Sequence, residues 1–292
     1  MPESSTNFST ASDGRLGAID VHTHVFPDAL AARAMEKLMS GAPECRAYSD
    51  GTRAGLIAQM DRAGVERAVV ANIATKPTQH EAIFAFCEEL AQDPRLIPFP
   101  SIFPRAPDAA RWVRRAAERF AGLKCHPHYQ DVQLDEPSFL EYLRAIRAEG
   151  LVLLMHAGRD PEFPGDLRAA PERLARMLDA VEGLRVILAH FGGWREWEAA
   201  ARWIAGRPGV WLDTSASLQL MPRELALGII EAHGPERMLF ASDSPWEDIA
   251  DERVRLESLG LSAATQARIL RHNAASLLPA YRPQRNSKTA SE

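Results

Sequence analysis

Apolar residues gather along the chain into eight short runs, and most of the stretches between them carry helical spacing. The runs are LGAIDVHTH (16–24), ERAVVANIA (66–74), LIPFPSIFP (96–104), AGLKCHP (121–127), LVLLMHAG (151–158), LRVILAHFGG (184–193), VWLDTSAS (210–217) and RMLFASDSPW (237–246). Each is short and continuously apolar, the signature of a strand covered on both faces rather than one. The helical stretches that precede them include TRAGLIAQMDRAG, HEAIFAFCEELAQDP, DAARWVRRAAERF and PERLARMLDAVEG, and a further one, SAATQARILRHNAASLLPA, follows the last run. Strands that alternate with helices of this length pair in parallel through crossovers. Eight such units predict an α/β fold, a single-domain (β/α)8 TIM barrel over residues 14–280. A polar leader (1–13), expected to be disordered, precedes it, and a polar tail (281–292) follows. The rival doubly wound sheet would favour a glycine-rich first turn. Here that turn is HTHVFPD, and the chain has neither a GxGxxG nor a P-loop pattern.

Composition narrows the function classes. The chain has 292 residues, 46% apolar and 25% charged, which is ordinary globular usage and excludes disordered or collagen-like chains. No apolar run approaches the roughly 18 residues of a membrane span. The leader has neither a basic start nor an apolar centre, so it does not read as a secretory signal. The net charge of −5, with Lys and Arg scattered, disfavours a nucleic-acid partner. Three isolated cysteines form no CxxC and no disulfide framework, which fits a cytoplasmic location.

The nine histidines carry the chemistry. In a TIM barrel the working residues sit at the carboxyl ends of the strands. Run 1 ends in His22 and His24, run 4 in Lys124 and His126, run 5 in His156, run 6 in His190, run 7 in Asp213 and run 8 in Asp243. Residues two apart on a strand face the same way, so His22 and His24 can aim both imidazoles at one point in the barrel mouth. His190 alone would read as a core histidine bonded to a carbonyl, and Asp243 alone as a helix cap. Together, His22, His24, His156, His190 and Asp243 predict a shared metal site. Imidazole with carboxylate suits Zn2+ and is acceptable to Mn2+, Fe2+ or Ni2+.

The strings IDVHTHVFP (19–27), LLMHAG (153–158), LAHFGG (188–193) and LFASDSPW (239–246) resemble the amidohydrolase superfamily. Within it they are similar to the amidohydrolase-related group that includes aminocarboxymuconate-semialdehyde decarboxylase. The resemblance covers residues 16–278. It implies that His22, His24, His156 and Asp243 are metal ligands, and that Asp243 is also a catalytic base. It implies that His190 is catalytic toward the metal water, or binds a second metal where there is one. Lys124 matches the position of a bridging carboxylated lysine in two-metal relatives. Its other reading is an ammonium that binds substrate carboxylate. One zinc is favoured over two.

Substrate contacts are expected from Lys124, His126, Arg159, Trp194 and Trp246, with His128 lying further out. Asp213 is expected to support the site, and 159–170 reads as a lid. The favoured function is a metal-dependent hydrolase using a zinc-activated water to cleave an amide, ester or lactone of a small carboxylate-bearing substrate. The alternative is a non-oxidative decarboxylase of a conjugated or aromatic acid. That chemistry needs a carboxylate-binding arginine, for which Arg105, Arg159 and Arg195 are placed. The intact ligand set argues against a third reading, a non-catalytic ligand-binding barrel. The partner is a small molecule, with no nucleic acid and no membrane, and the resemblance is compatible with a homodimer.

Overall fold

Each of the eight apolar runs forms a strand, but the strands are shorter than the runs that predict them. In the computed structural model, which describes residues 16–278, they are β1 (Ala18–Thr23), β2 (Val65–Ala71), β3 (Leu96–Phe99), β4 (Gly122–Cys125), β5 (Val152–Met155), β6 (Val186–Leu188), β7 (Val210–Asp213) and β8 (Met238–Leu239). The leader 1–13 and the tail 281–292 lie outside the described residues. All ladders are parallel, in the orders β1-β2-β3 and β4-β5-β6-β7-β8. Bridges at Ser101–Lys124 and Thr23–Ser244 join the two pieces on both sides. Val21 N donates to Phe240 O at 3.0 Å, Asp243 N to His22 O at 2.8 Å and Lys124 N to Pro100 O at 2.9 Å. The sheet therefore closes into the expected barrel.

Side-chain alternation sorts the core into two layers. Ile19, Val21, Val69, Ile97, Phe99, Val152, Leu154, Ile187 and Leu239 gather in one cluster that fills the barrel. Ala274 and Leu277 of the terminal helical run (Ala263–Leu277) join this cluster. The opposite faces, including Leu123, Cys125, Leu153, Met155, Val186, Leu188 and Leu212, pack against the helices in a larger cluster. Gly122 is the thin point of the inner layer: a Cβ there would collide with the ring of Phe99.

Among the described residues nine α-helices precede the terminal run: α1 (Asp28–Gly41), α2 (Arg53–Ala63), α3 (His80–Leu90), α4 (Ala109–Ala117), α5 (Pro137–Ala148), α6 (Pro171–Ala180), α7 (Trp197–Trp203), α8 (Arg223–His233) and α9 (Ile249–Glu257). Local chemistry sets their limits. Thr52 caps α2 by accepting from Gly55 N, and Gly64 ends it in the left-handed conformation at φ 65°. Proline occupies the first turn of α5 and α6. The run pattern does not anticipate α1 and α9. In α1 (DALAARAMEKLMSG) apolar residues lie all round the helix and only Ala31 and Met35 are buried, with Leu30, Ala34 and Leu38 turned to the cavity, so no single core-facing stripe marks it. In α9 the buried face includes the charged Glu252 and Arg253, which disguises the periodicity. Among the described residues no helix is long and apolar enough to cross a membrane.

Candidate active site

Three features of the barrel mouth fix the working residues. First, Asp20 is fully buried and ties the first strand to the segment after the last. Its Oδ1 accepts from His22 N (3.0 Å) and Ser242 N (3.1 Å), and its Oδ2 accepts from Ser242 Oγ (2.6 Å). Second, the β1–β2 ladder shifts register between Asp20 and Thr23, where the two histidines leave the strand. Third, His190, Phe191 and Asp243 hold φ of 60°, 56° and 71°. Such left-handed backbone is uncommon outside glycine, and here it turns chain that has left β6 and β8 so that polar side chains face the mouth.

The histidines are oriented from behind. His22 Nδ1 donates to Asp213 Oδ2 (3.1 Å) and His24 Nδ1 to Ala71 O (2.8 Å). His156 Nε2 donates to Arg159 O (3.0 Å) and His190 Nδ1 to Ser215 O (3.1 Å). A neutral imidazole has one N–H, so an oxygen acceptor at one nitrogen leaves a lone pair on the other. Four lone pairs are thereby turned inward. His22 Nε2 and His24 Nε2 stand 3.2 Å apart, with Asp243 Oδ1 at 3.3 and 3.1 Å from them. His156 Nδ1 and His190 Nε2 face each other at 3.2 Å. Between His24 Nε2 and Asp243 Oδ1, and between His156 Nδ1 and His190 Nε2, no proton is available in these tautomers, so the acceptors repel unless a cation lies among them; at His22 Nε2 the Lys124 ammonium, 2.7 Å away, supplies one.

The spacing fits a metal ion. Ligands at about 2.0–2.1 Å lie about 3.3–3.4 Å apart around a tetrahedral ion and about 2.8–3.0 Å apart around an octahedral one. The His22–His24–Asp243 triangle, with edges of 3.1 to 3.3 Å, falls between these limits. Protonation agrees with that role. Burial lowers His22 to about 4, with the Lys124 charge acting in the same direction. Burial also takes His126 and His156 well below the usual imidazole range. Burial opposes ionisation of Asp243, yet the imidazoles of His22 and His24 hold its carboxyl far below the usual range. Neutral imidazoles and an ionised carboxylate are the ligand forms that a metal requires.

Lys124 and His126 also reach the site. Lys124 Nζ lies 2.7 Å from His22 Nε2, and burial pulls its ammonium down to about 8 against the attraction of Asp243 and Asp213. His126 stacks on His156, with ring centroids 4.1 Å apart, and its Nε2 lies 3.3 Å from Asp160 Oδ2. His126, His156 and Asp160 make a second group with metal-capable spacing. In that group Nε2 of His156 is committed to the Arg159 carbonyl, which leaves only Nδ1, the atom facing His190.

A cavity of about 710 Å³ opens above these groups, and Lys124, His126, Trp194 and Trp246 line it, as do His190 and Asp243. Arg159 does not line it, contrary to the sequence expectation. Its side chain is half exposed and lies 3.7 Å from Glu196, while its backbone carbonyl serves His156. Arg195 does line the cavity, with its guanidinium 4.6 Å from the Trp194 ring centroid, and Arg46 lies against Tyr48 in the same wall. Arg105 is engaged at the surface by Glu136 and Asp131. Of the 159–170 segment only Asp160 and Pro161 touch the cavity, and the segment is pinned where Gly158 N donates to Ala169 O. It is a wall rather than a lid. Sequence reasoning passed over the wall from Phe26 to Tyr48, whose irregular chain after α1 carries no periodic signal.

The family model described as "Amidohydrolase" matches residues 19–280. Among solved structures, 5-carboxyvanillate decarboxylase from Sphingomonas paucimobilis is 21% identical, with 90% of this chain and 99% of that chain covered and a TM-score of 0.67. A 5-carboxyvanillate decarboxylase from Novosphingobium aromaticivorans, complexed with manganese and 4-hydroxy-3-methoxy-5-nitrobenzoic acid, is 18% identical over 90% and 96% at TM-score 0.68. A 2,6-dihydroxybenzoate decarboxylase complexed with 2,6-dihydroxybenzoate is 16% identical over 90% and 99% at TM-score 0.68. At these identities the likeness establishes the fold. Among curated proteins none matches the chain.

Proposed function

We propose that this chain, which belongs to the amidohydrolase family, is a metal-dependent decarboxylase of a small conjugated or aromatic carboxylic acid. One observation carries the reading: the lone pairs of His22 and His24 and a carboxylate oxygen of Asp243 converge beside a cavity walled by Trp194, Trp246 and Phe26, and His156 and His190 face the same cavity. The preference for decarboxylation over hydrolysis is supported by the decarboxylase neighbours, one of which holds manganese and a substituted benzoic acid. His22, His24 and Asp243 would hold the ion; His156, expected from the sequence as a further ligand, has its ligand atom grouped with those of His126 and Asp160 instead. When bound, a divalent ion such as Mn2+ or Zn2+ supplies Lewis-acid polarisation of substrate oxygen atoms.

The chain's own residues do the rest. Trp194 and Trp246 clamp the flat body of the acid and exclude water from it. The Arg195 guanidinium and the Lys124 ammonium attract its negative charge, and Arg195 has the fork geometry for a carboxylate. Loss of carbon dioxide leaves an electron pair on the ring or alkene carbon, and that carbon then takes a proton. Asp243 contacts the histidines through Oδ1, so Oδ2 is the atom we assign to proton transfer: ionised at rest, it takes a proton from solvent and delivers it to that carbon, and His190, which lines the same cavity, is the second proton carrier.

Hydrolysis of an amide, ester or lactone is the second reading, favoured by two proton-carrying side chains, Asp243 and His190, that line the same cavity. The two are separated by supplying metal-loaded protein with hydroxylated benzoates, unsaturated carboxylic acids, lactones and N-acyl compounds in 18O-water. Release of carbon dioxide with no 18O in the organic product is expected. Incorporation of 18O without carbon dioxide would replace decarboxylation by hydrolysis.

A further inference from the structure

We infer that Asp213 is the positioning residue that decides whether His22 can bind metal at all. The inference rests on the reading of His22 as a ligand, but its primary readout does not. Of the four acceptors behind the inward-facing histidines, three are backbone carbonyls, on Ala71, Arg159 and Ser215. Asp213 is the fourth and the one that carries charge; the Ser215 hydroxyl also approaches the rings, at 3.0 Å from His190 Nδ1 and 3.3 Å from His22 Nδ1, but it is neutral and donates to Asp213 Oδ1.

Asp213 is fully buried at the end of β7 and saturated by donors. Its Oδ2 accepts from His22 Nδ1 at 3.1 Å. Its Oδ1 accepts from His190 N (2.9 Å), Ser215 N (3.0 Å) and Ser215 Oγ (2.5 Å). One carboxylate thus holds the ring of His22, on β1, and the backbone of His190, just after β6, more than 160 residues apart in sequence. Ser215 completes the arrangement, since its carbonyl and hydroxyl oxygens lie 3.1 and 3.0 Å from His190 Nδ1.

The consequence is a tautomer lock. With a carboxylate at Nδ1, His22 carries its proton there and presents the Nε2 lone pair to the triad. An amide in the same place could instead turn its NH2 toward Nδ1. The proton would then move to Nε2, and a protonated Nε2 cannot be a ligand. The fold would be kept while the ligand atom was switched off.

The test is Asp213→Asn, read first on metal-free protein by long-range 1H–15N correlation of the histidine rings. The wild type is expected to show His22 protonated at Nδ1, and the variant to show it protonated at Nε2. Titration of both proteins with Mn2+ and with Zn2+ against a competing chelator is expected to show a loss of about 10–100-fold in affinity. Ser215→Ala keeps the carboxylate and is expected to leave the His22 tautomer unchanged. The inference is overturned if wild-type His22 is protonated at Nε2, a result that does not depend on the variant folding. It is also overturned if folded Asp213→Asn protein retains the Nδ1–H form and wild-type metal affinity. Should the wild type bind neither ion, the metal reading fails, while the ring spectra still decide what Asp213 does to His22.

Discussion

Gly158 couples the stability of the fold to the ligand geometry, and Gly158→Ala tests that coupling. The residue follows β5 at φ 90°, and it bridges to Trp194, with Arg159 N donating to Trp194 O (3.0 Å) and Trp194 N to Ala157 O (2.8 Å). A Cβ there would press on the backbone of Gly193 and Trp194, which cannot swing aside as a side chain would. The positive φ costs a residue with a Cβ about 1–2 kcal/mol. Loss of the two backbone bonds adds about 1 kcal/mol each, for a total of about 3–4 kcal/mol. With an unfolding entropy of roughly 2.1 cal/mol/K per residue over about 260 residues, the melting temperature should fall by about 6 °C. The same displacement moves the Arg159 carbonyl that holds His156 Nε2, so metal affinity should fall by about 10–100-fold. Thermal melts and chelator competition measure the two effects on one preparation. A variant with an unchanged melting point and unchanged affinity would refute both the steric argument and the coupling.

Three other outcomes follow from the site and its surroundings. Lys124→Met removes a cation 2.7 Å from His22 Nε2 and should tighten binding of the first metal ion several-fold in chelator competition. A loosening, with loss of a second equivalent, would identify Lys124 as a bridging carbamate instead. Arg195→Ala should lower kcat/KM for a carboxylate substrate by about tenfold, mainly through KM, because a charge-assisted bond is removed at a half-exposed residue. Arg168 holds the Asp131 carboxyl below its ordinary range by a hydrogen bond, and holds Asp166 low against the effect of burial. Their depressed pKa values contribute stability above the unfolded value of about 3.9, and it is lost as pH falls through the folded values. The melting-point gap between wild type and Arg168→Gln should therefore be widest near neutral pH and close in acid.

The barrel was legible because eight apolar runs are hard to arrange otherwise, and His22-x-His24 was legible because alternation along a strand puts both rings on one side. Of the acceptors behind the rings only Asp213, a carboxylate at the end of a strand, left a trace in the sequence. The carbonyls of Ala71, Arg159 and Ser215 belong to residues whose identity is irrelevant to the bond they accept. Arg159 and Arg195 show a second limit. Both follow glycine-containing turns near strand ends, yet Arg159 leans toward Glu196 while Arg195, at φ 56°, points its guanidinium into the cavity wall. Each also meets a glutamate, Arg159 at Glu196 (3.7 Å) and Arg195 at Glu44 (3.6 Å), and no residue pattern tells which of the two lines the cavity. The elements α1 and α9 escaped for the reason given by their burial: one spreads its apolar residues between core, cavity and solvent, and the other buries charge.

The barrel closes where its first strand meets its last, through a handful of backbone bonds between residues more than two hundred positions apart. His22 and His24 lie on one side of that seam and Asp243 on the other, so an ion in the triad would act as a clasp on the joint itself. Ligand binding would then stabilise the protein most where the chain's two ends are stitched together. In hydrogen exchange, the amides of Val21, His24 and Asp243 should be the ones whose protection rises most sharply when metal is added. A circular permutant that joined the two strands covalently would shed part of that dependence.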